Sequence, residues 1–505
     1  MSANFFSLIA SSFEKRERPF IVKPDGAVIT YGDALQASGR IANMLVAKGV
    51  KPGDRIAVQV EKSPEAILLY LGCARAGVVF LPLNTAYTLA EVEYFVGDAE
   101  PAMVVCTPQR RDSIGAMAQK LGVAHVETLG TAGDGTVMDA ARAQPDAFET
   151  VALKENDLAA LLYTSGTTGR SKGAMLTQKN LSSNAFTLRD VWRFTADDVL
   201  LHALPIFHTH GLFVATNTTL VAGSSMIFLP KFDPDEIFRH MPKATVMMGV
   251  PTFYTRLLQD ARLSKETTRH MRLFVAGSAP LLADTHRQWQ ARTGHAVLER
   301  YGMTETGMIT SNPYDGERVP GAVGYPLPEI AVRIADPETG KLLPADAVGM
   351  IEVKGPNVFI GYWRMPEKTK AEFRDDGFFI TGDLGKIDDK GYVHIVGRGK
   401  DLVISGGFNV YPKEVEAEID SIDGVIESAV IGVPHADFGE GVTAVVVAKP
   451  EAGLDEKGML KTLDSRLAKY KLPKRILFVP DLPRNSMGKV LKADLRKAYE
   501  ALYKN

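Results

Sequence analysis

Residues 55–81 read RIAVQVEKSPEAILLYLGCARAGVVFL. Residues 55–60 are strand-like. Ser63-Pro64-Glu65 then sets a capping residue, a proline at the first helical position and an acid in the first turn. Residues 78–81 return to a strand pattern. Upstream, Thr30 stands three before Asp33 as a helix cap, and Leu35, Ile41, Met44 and Leu45 recur at roughly helical spacing. Downstream, Thr88 and Glu91 open another helix and residues 102–106 close with a strand. Strands alternating with helices predict an α/β fold of layered, mostly parallel sheets.

The alternation runs on to about residue 330, for example a strand at 243–249 before a helix at 253–258. From 347 the pattern turns β-rich, with short strands around 351–353 and 392–395 among Gly-rich turns. After Arg398 it predicts a helix at 413–420, strands at 428–433 and 442–448, a helix at 458–470 and a strand at 475–479. That is a small α+β domain. The boundary falls near Gly399-Lys400, giving domains 1–399 and 400–505.

The chain has 505 residues, enough for about three domain-sized units, and a formal net charge of −2. That balance offers no electrostatic case for nucleic acid or an anionic membrane surface. Apolar residues at 45% and charged residues at 23% exclude a wholly disordered or fibrous chain. Two cysteines, Cys73 and Cys106, make neither a disulfide framework nor a Cys-rich metal site. The first 18 residues carry charges within their apolar pattern and lack a signal-peptide core. The apolar stretch 66–83 is interrupted by Arg75 and turn residues, so no membrane span is read. The expected location is the cytoplasm.

The sharpest local motif is Tyr163-Thr164-Ser165-Gly166-Thr167-Thr168-Gly169-Arg170-Ser171-Lys172-Gly173. Its glycines let the backbone approach an anion closely. Its N–H groups and hydroxyls can donate to phosphate oxygens, and Lys172 adds a point charge. The spacing is not that of a Walker A loop. The plainer reading is a polar connection. Glu299-Arg300-Tyr301-Gly302-Met303-Thr304-Glu305 puts a hydroxyl beside a carboxylate, suited to a phosphate and its Mg²⁺, or simply a capped turn with an exposed acid. Asp383 ends a strand-like run and could hold ribose hydroxyls. Gly397-Arg398-Gly399-Lys400 and Ser405-Gly406-Gly407 follow, alternatively as hairpin turns. Lys489 lies on a Pro/Gly-rich loop, where a solvated lysine is the default.

Together and in this order, these segments resemble the adenylate-forming superfamily of acyl-CoA synthetases, adenylation domains and luciferases, over nearly the whole chain. Ser171 stands where many relatives have proline. The resemblance implies a two-step reaction: a carboxylate attacks the α-phosphate of Mg-ATP, and a thiol then displaces AMP. It implies that Thr164, Ser165, Gly166, Thr167, Thr168, Gly169 and Lys172 hold the phosphates. Gly277, Ser278, Ala279 and Glu299 to Thr304 would surround the adenosine. Thr304 would contact the α-phosphate, Glu305 the Mg²⁺, and Asp383 and Arg398 the ribose. Lys489 would bridge the substrate carboxylate and the α-phosphate. Lys400 is the hinge about which the small, mobile domain rotates, bringing Ser405, Gly406 and Gly407 toward coenzyme A. In related synthetases the lysine at the position of Lys489 can be acylated reversibly, so a protein acyltransferase acting on Lys489 is an implied partner.

His208 matches a residue that lies beside the acyl carboxylate in relatives. His208-Thr209-His210 is not read as a metal pair, because no further ligand stands nearby. Residues 248–256 match a segment lining the acyl pocket. It carries Arg256, a forked cation suited to a second carboxylate. The plainer alternative has Arg256 reaching solvent or pairing with Asp260. The combination is similar to malonyl-CoA synthetases. The expected substrates are therefore malonate, ATP and coenzyme A, with Arg256, His208, Gly277 and Ser278 around the acid. A synthetase for another short or medium acid, a stand-alone adenylation enzyme loading a carrier protein, and a non-catalytic adenylate binder are the rivals.

Overall fold

Thr30 closes a reciprocal capping box at the start of helix Tyr31–Ala47: its hydroxyl accepts from the Asp33 N–H, and the Asp33 carboxylate accepts from the Thr30 N–H. Thr88 and Glu91 do the same for helix Leu89–Ala99. Ser63 caps helix Pro64–Ala76, whose residues are buried on nearly every side, as its almost continuous apolar sequence requires. The computed structural model describes residues 2–164, 171–406, 408–485 and 488–503.

Strand Arg55–Gln59 runs parallel between Val79–Pro82 and Met103–Cys106 in a six-stranded sheet. Its far side ends in Leu158–Thr164 and the antiparallel Lys172–Thr177, with Thr164 opposite Lys172. A second, nine-stranded sheet places Val199–His202, Val246–Gly249, Leu273–Ala276 and Leu298–Met303 side by side and parallel. Their carboxyl ends therefore deliver the segments after residues 202, 249, 276 and 303 to one edge, where ligands bind in open parallel sheets. Antiparallel strands Ala331–Ala335, Gly349–Lys354, Phe379–Ile387 and Val393–Arg398 form the β-rich part.

A single helical turn, Gly399–Asp401, leads into the C-terminal part. Its five-stranded sheet centres on the antiparallel ladder Val425–His435 with Gly439–Ala448. Alternate residues of the second strand enter different apolar clusters: Val442, Ala444 and Val446 on one face, Val445 and Val447 on the other. Each fully buried valine is worth roughly 1.5–3 kcal/mol, and neither cluster includes a residue before Val403. Helix Glu456–Asp464 is shorter than the 458–470 expected. Its last turn tightens as the Arg466 N–H bonds the Leu463 carbonyl, and Pro473 bars continuation. Among the described residues no helix is long and apolar enough to cross a membrane.

Candidate active site

The carboxyl ends of the nine-stranded sheet, the end of strand Val393–Arg398 and the C-terminal domain enclose a cavity of about 530 Å³. Of the phosphate loop, Ser165, Gly166, Thr167, Thr168 and Gly169 lie outside the described residues. Its flanks are in place. Lys172 is buried, paired with Glu372 Oε1 at 2.9 Å, and its Nζ stands 4.0 Å over the Tyr362 ring. The Tyr362 hydroxyl lies 2.6 Å from Glu372 Oε2 and 3.0 Å from Glu305 Oε1. Thr164 Oγ1 is 3.4 Å from the same Glu305 oxygen. Glu305 is buried, unlike the exposed acid of the plainer reading, and burial raises its pKa. Thr304 is half-buried in the turn just before it.

Asp383 and Arg398 are cross-strand partners, with Asp383 Oδ1 2.9 Å from Arg398 Nε. The buried Tyr301 hydroxyl donates to Asp383 Oδ2 at 2.6 Å. The two residues expected at the ribose are thus brought together. Glu299 is held by protein groups instead: its Oε1 accepts from the Gly321 N–H at 3.0 Å and meets His286 Nδ1 at 3.1 Å. Ser278, Ala279 and Gly302 line the cavity, and Ser278 takes a left-handed φ of 72°. Such strain in a residue with a side chain is concentrated at functional sites.

Arg300 is the distinctive charge. It is 4% exposed, and its Nε and Nη2 find no hydrogen-bond partner among the described residues. Gly277 lies flat against it: a Cβ there would fall 2.4 Å from the Arg300 Cζ. Burial pulls the guanidinium down to about 9. Burial, and then the Arg300 charge, also pulls His208 down to about 4 and His210 well below the usual histidine range. His208 Nδ1 accepts from the His210 N–H at 3.2 Å, so the neutral ring carries its proton on Nε2. Ser278 Oγ is 3.2 Å from His210 Nδ1. Two neutral imidazoles thus stand near a buried cation, a setting in which an anion would be strongly held. Among the described residues no group of three or more His, Cys, Asp or Glu could hold a metal. The single buried Glu305 suits a Mg²⁺ that arrives with phosphates, since Mg²⁺ takes one or two carboxylates and keeps its other positions for phosphate and water.

Arg256 lines the same cavity from helix Pro251–Leu258 but is exposed. Asp260 does not pair with it; Asp260 binds Arg262. Lys489 reaches the cavity from the C-terminal domain, and burial, then Arg398, pulls its amine down to about 8. Beside it Gly488 has φ 73°, and a Cβ there would sit 3.0 Å from Thr252 Oγ1. Lys400 is exposed in the connecting turn, next to Asp401, which pairs with Arg496. Ser405 is buried and Gly406 exposed in hairpin Val403–Ser405 and Phe408–Val410, and neither lines the cavity that holds Lys489. Gly407 lies outside the described residues. Sequence reading missed Tyr362 and Glu372, and it grouped Arg300 with the adenosine segment. Nothing local marks a contact between residues 200 apart, as Lys172 and Glu372 are.

Residues 10–363 match the AMP-binding enzyme family and residues 414–489 the AMP-binding enzyme C-terminal domain. The chain is 35% identical to a malonate–CoA ligase of Arabidopsis thaliana, over 95% of this chain and 86% of that one. It is 36% identical to a feruloyl-CoA synthase of an Amycolatopsis species, over 95% of each. Identity at this level is thus shared by enzymes for quite different acids. ATP-bound MatB from Rhodopseudomonas palustris is 66% identical over the full length of both chains, with a TM-score of 0.98. The apo form of that protein, at the same identity and coverage, gives 0.87. With sequence held constant, the difference is one of conformation, and this chain has the arrangement of the ATP-bound form.

Proposed function

The chain belongs to the AMP-binding enzyme family, and from that premise we propose that it joins malonate to coenzyme A at the expense of ATP, releasing AMP and pyrophosphate. It is an AMP-forming acid–thiol ligase that works through an acyl-adenylate. The observation that carries the choice of acid is Arg300, a buried guanidinium with two unpaired nitrogens beside two neutral histidines. A monocarboxylic acid spends its only carboxylate on the α-phosphate and leaves this cation unpaired. A dicarboxylic acid supplies a second anion, and a bidentate guanidinium–carboxylate contact suits it. Arg300 is therefore assigned the distal carboxylate, with His208 Nε2–H as a further donor. Arg256, exposed where it lines the cavity, is assigned to the approach of anions.

In the first step one malonate oxygen attacks the α-phosphorus, and the bond to the pyrophosphate oxygen breaks. Both reactants are anionic, so catalysis lies in positioning and charge stabilisation. Lys489 is assigned the place between them, supported by its position in the cavity and its proximity to Arg398 and Asp383. Asp383 and Arg398 are assigned to the ribose. Glu305 would hold the Mg²⁺ that ATP carries, which would offset charge on the phosphates. In the second step the coenzyme A sulfur attacks the acyl carbon and AMP leaves. Ser405 and Gly406 are assigned to that step, which requires the C-terminal domain to turn about Lys400. Domains 1–399 and 400–505 are the units of that motion. Cys73 and Cys106, both buried free thiols, suit a reducing compartment such as the cytoplasm.

The test is AMP formation with ATP, Mg²⁺ and coenzyme A across malonate, methylmalonate, succinate, acetate and octanoate. Malonate is expected to give the highest kcat/KM. A higher value for acetate or octanoate would overturn the dicarboxylate reading and leave the adenylate-forming reaction standing. Methylmalonate should trail by a modest factor, because one methyl group discriminates by only about 1–3 kcal/mol.

A further inference from the structure

The residues around Lys172 carry more than a phosphate contact. Segment 359–363 is stitched by its backbone to two parts of the site at once. The Met175 N–H bonds the Gly361 carbonyl, the Trp363 N–H bonds the Gly173 carbonyl, and the Phe359 N–H bonds the Glu305 carbonyl. Tyr362 therefore stands between the strand that leaves the phosphate loop and the turn that bears Glu305. Its ring lies under the Lys172 ammonium, and its hydroxyl meets both Glu372 and Glu305.

A phenol has one proton to donate, and two ionised carboxylates both need it. The neighbours decide where it goes. Glu372 is paired with Lys172 at 2.9 Å and with Lys368 at 2.8 Å, so its charge is met twice. Glu305 makes no ion pair among the described residues, and the Thr164 and Tyr362 hydroxyls both reach its Oε1. The hydroxyl stands 2.6 Å from Glu372 and 3.0 Å from Glu305, but the Glu372 charge is already met by two lysines, so the Tyr362 proton is worth more at Glu305.

We propose that Tyr362 is a positioning residue for nucleotide binding: with Glu372 holding Lys172 over its ring, its hydroxyl fixes the Glu305 carboxylate before Mg-ATP arrives. Lys172 then acts through Tyr362 as well as by its own charge. The inference rests on the reading of Glu305 as the carboxylate that meets the metal carried by ATP.

The experiment is calorimetric titration of full-length wild type and Tyr362→Phe with ATP plus Mg²⁺, ATP plus EDTA, and AMP, all without acid substrate. The variant keeps the ring under Lys172 and loses only the hydroxyl. A hydrogen bond to a charged group is worth about 1.5–3 kcal/mol, so Mg-ATP should bind at least tenfold more weakly. AMP and metal-free ATP should stay within about twofold. Unchanged Mg-ATP affinity, or an equal loss for AMP, overturns the proposal. If Tyr362→Phe does not fold, Glu372→Gln is read by the same criterion, with a Mg-ATP-selective loss of about threefold expected. Wild type that binds ATP no better with Mg²⁺ would instead overturn the reading of Glu305 itself.

Discussion

On the large-domain wall of the cavity, Arg300 is buried with two nitrogens unpaired, and Gly277 lies flat against it. Across the cavity, Lys489 enters on a loop of the C-terminal domain, where burial and Arg398 pull its amine down to about 8. Neither makes an ion pair among the described residues. The first sits on a strand of the core sheet. The second belongs to the domain proposed to turn about Lys400. On that proposal the fixed cation selects which acid binds, because it is present before and after the reaction, and the movable one serves a single step, because its charge leaves with the domain.

The comparison breaks most visibly at Arg300. Arg300→Met should lower malonate kcat/KM on the order of 10³-fold, since leaving a buried charge unpaired costs about 3–5 kcal/mol, whereas acetate use should fall far less. Equal losses for both acids would make Arg300 a structural residue. Lys489→Ala should cost on the order of 10²–10³-fold in pyrophosphate release, the range for removing one transition-state contact. Supplied malonyl-AMP should still be converted to the thioester at near the wild-type rate. A parallel loss in both steps would erase the distinction between the fixed and the movable cation.

Gly488→Ala tests closure itself. It puts a side chain at φ 73° and 3.0 Å from Thr252 Oγ1. Strain of about 1–3 kcal/mol should slow adenylation roughly 5- to 150-fold and spare thioester formation, as stopped assays of the two half-reactions would report. A smaller effect is a pH limb. The closed, ligand-free enzyme binds fewer protons than the open one between about 8 and the ordinary lysine value of 10.5. Closure without ligand therefore becomes easier as pH rises through that window. The same rise removes the charge that adenylation uses, so kcat/KM for ATP should fall as pH rises through about 8. Lys489→Ala should lack this limb. Arg256→Ala should be the mildest change, within about threefold in malonate kcat/KM, as for other exposed side chains. A loss as large as that of Arg300→Met would return the distal carboxylate to Arg256.

Helix starts at Thr30, Ser63 and Thr88 were legible because a cap is decided within four residues. The parallel strands were legible because a strand buried on both faces reads as an unbroken apolar run. A strand at 442–448 was legible, but its two buried faces emerged only from the structure. Asp383, Arg398, Glu305 and Lys489 could be picked out by motif, and the fold brings Asp383 and Arg398 into direct contact. The proposed preference for Arg300 over Arg256 was beyond such reading. Arg256 looked the stronger candidate because it stands in a segment that matches an acyl-pocket wall, and it lines the cavity but is exposed. Arg300 looked like part of a nucleotide motif, yet it is enclosed beside His208 and His210.

Local order, the apolar pattern and the family's chemistry are thus properties of the chain as written, since each depends on neighbours a few residues apart or on an ordered set of motifs. Which charge is buried, which carboxylate already has its lysines and which hydroxyl is left to hold Glu305 depend on groups up to 200 residues apart. Those were decided only by folding, because the cost of a charge is set by the solvent and partners around it and not by its place in the chain.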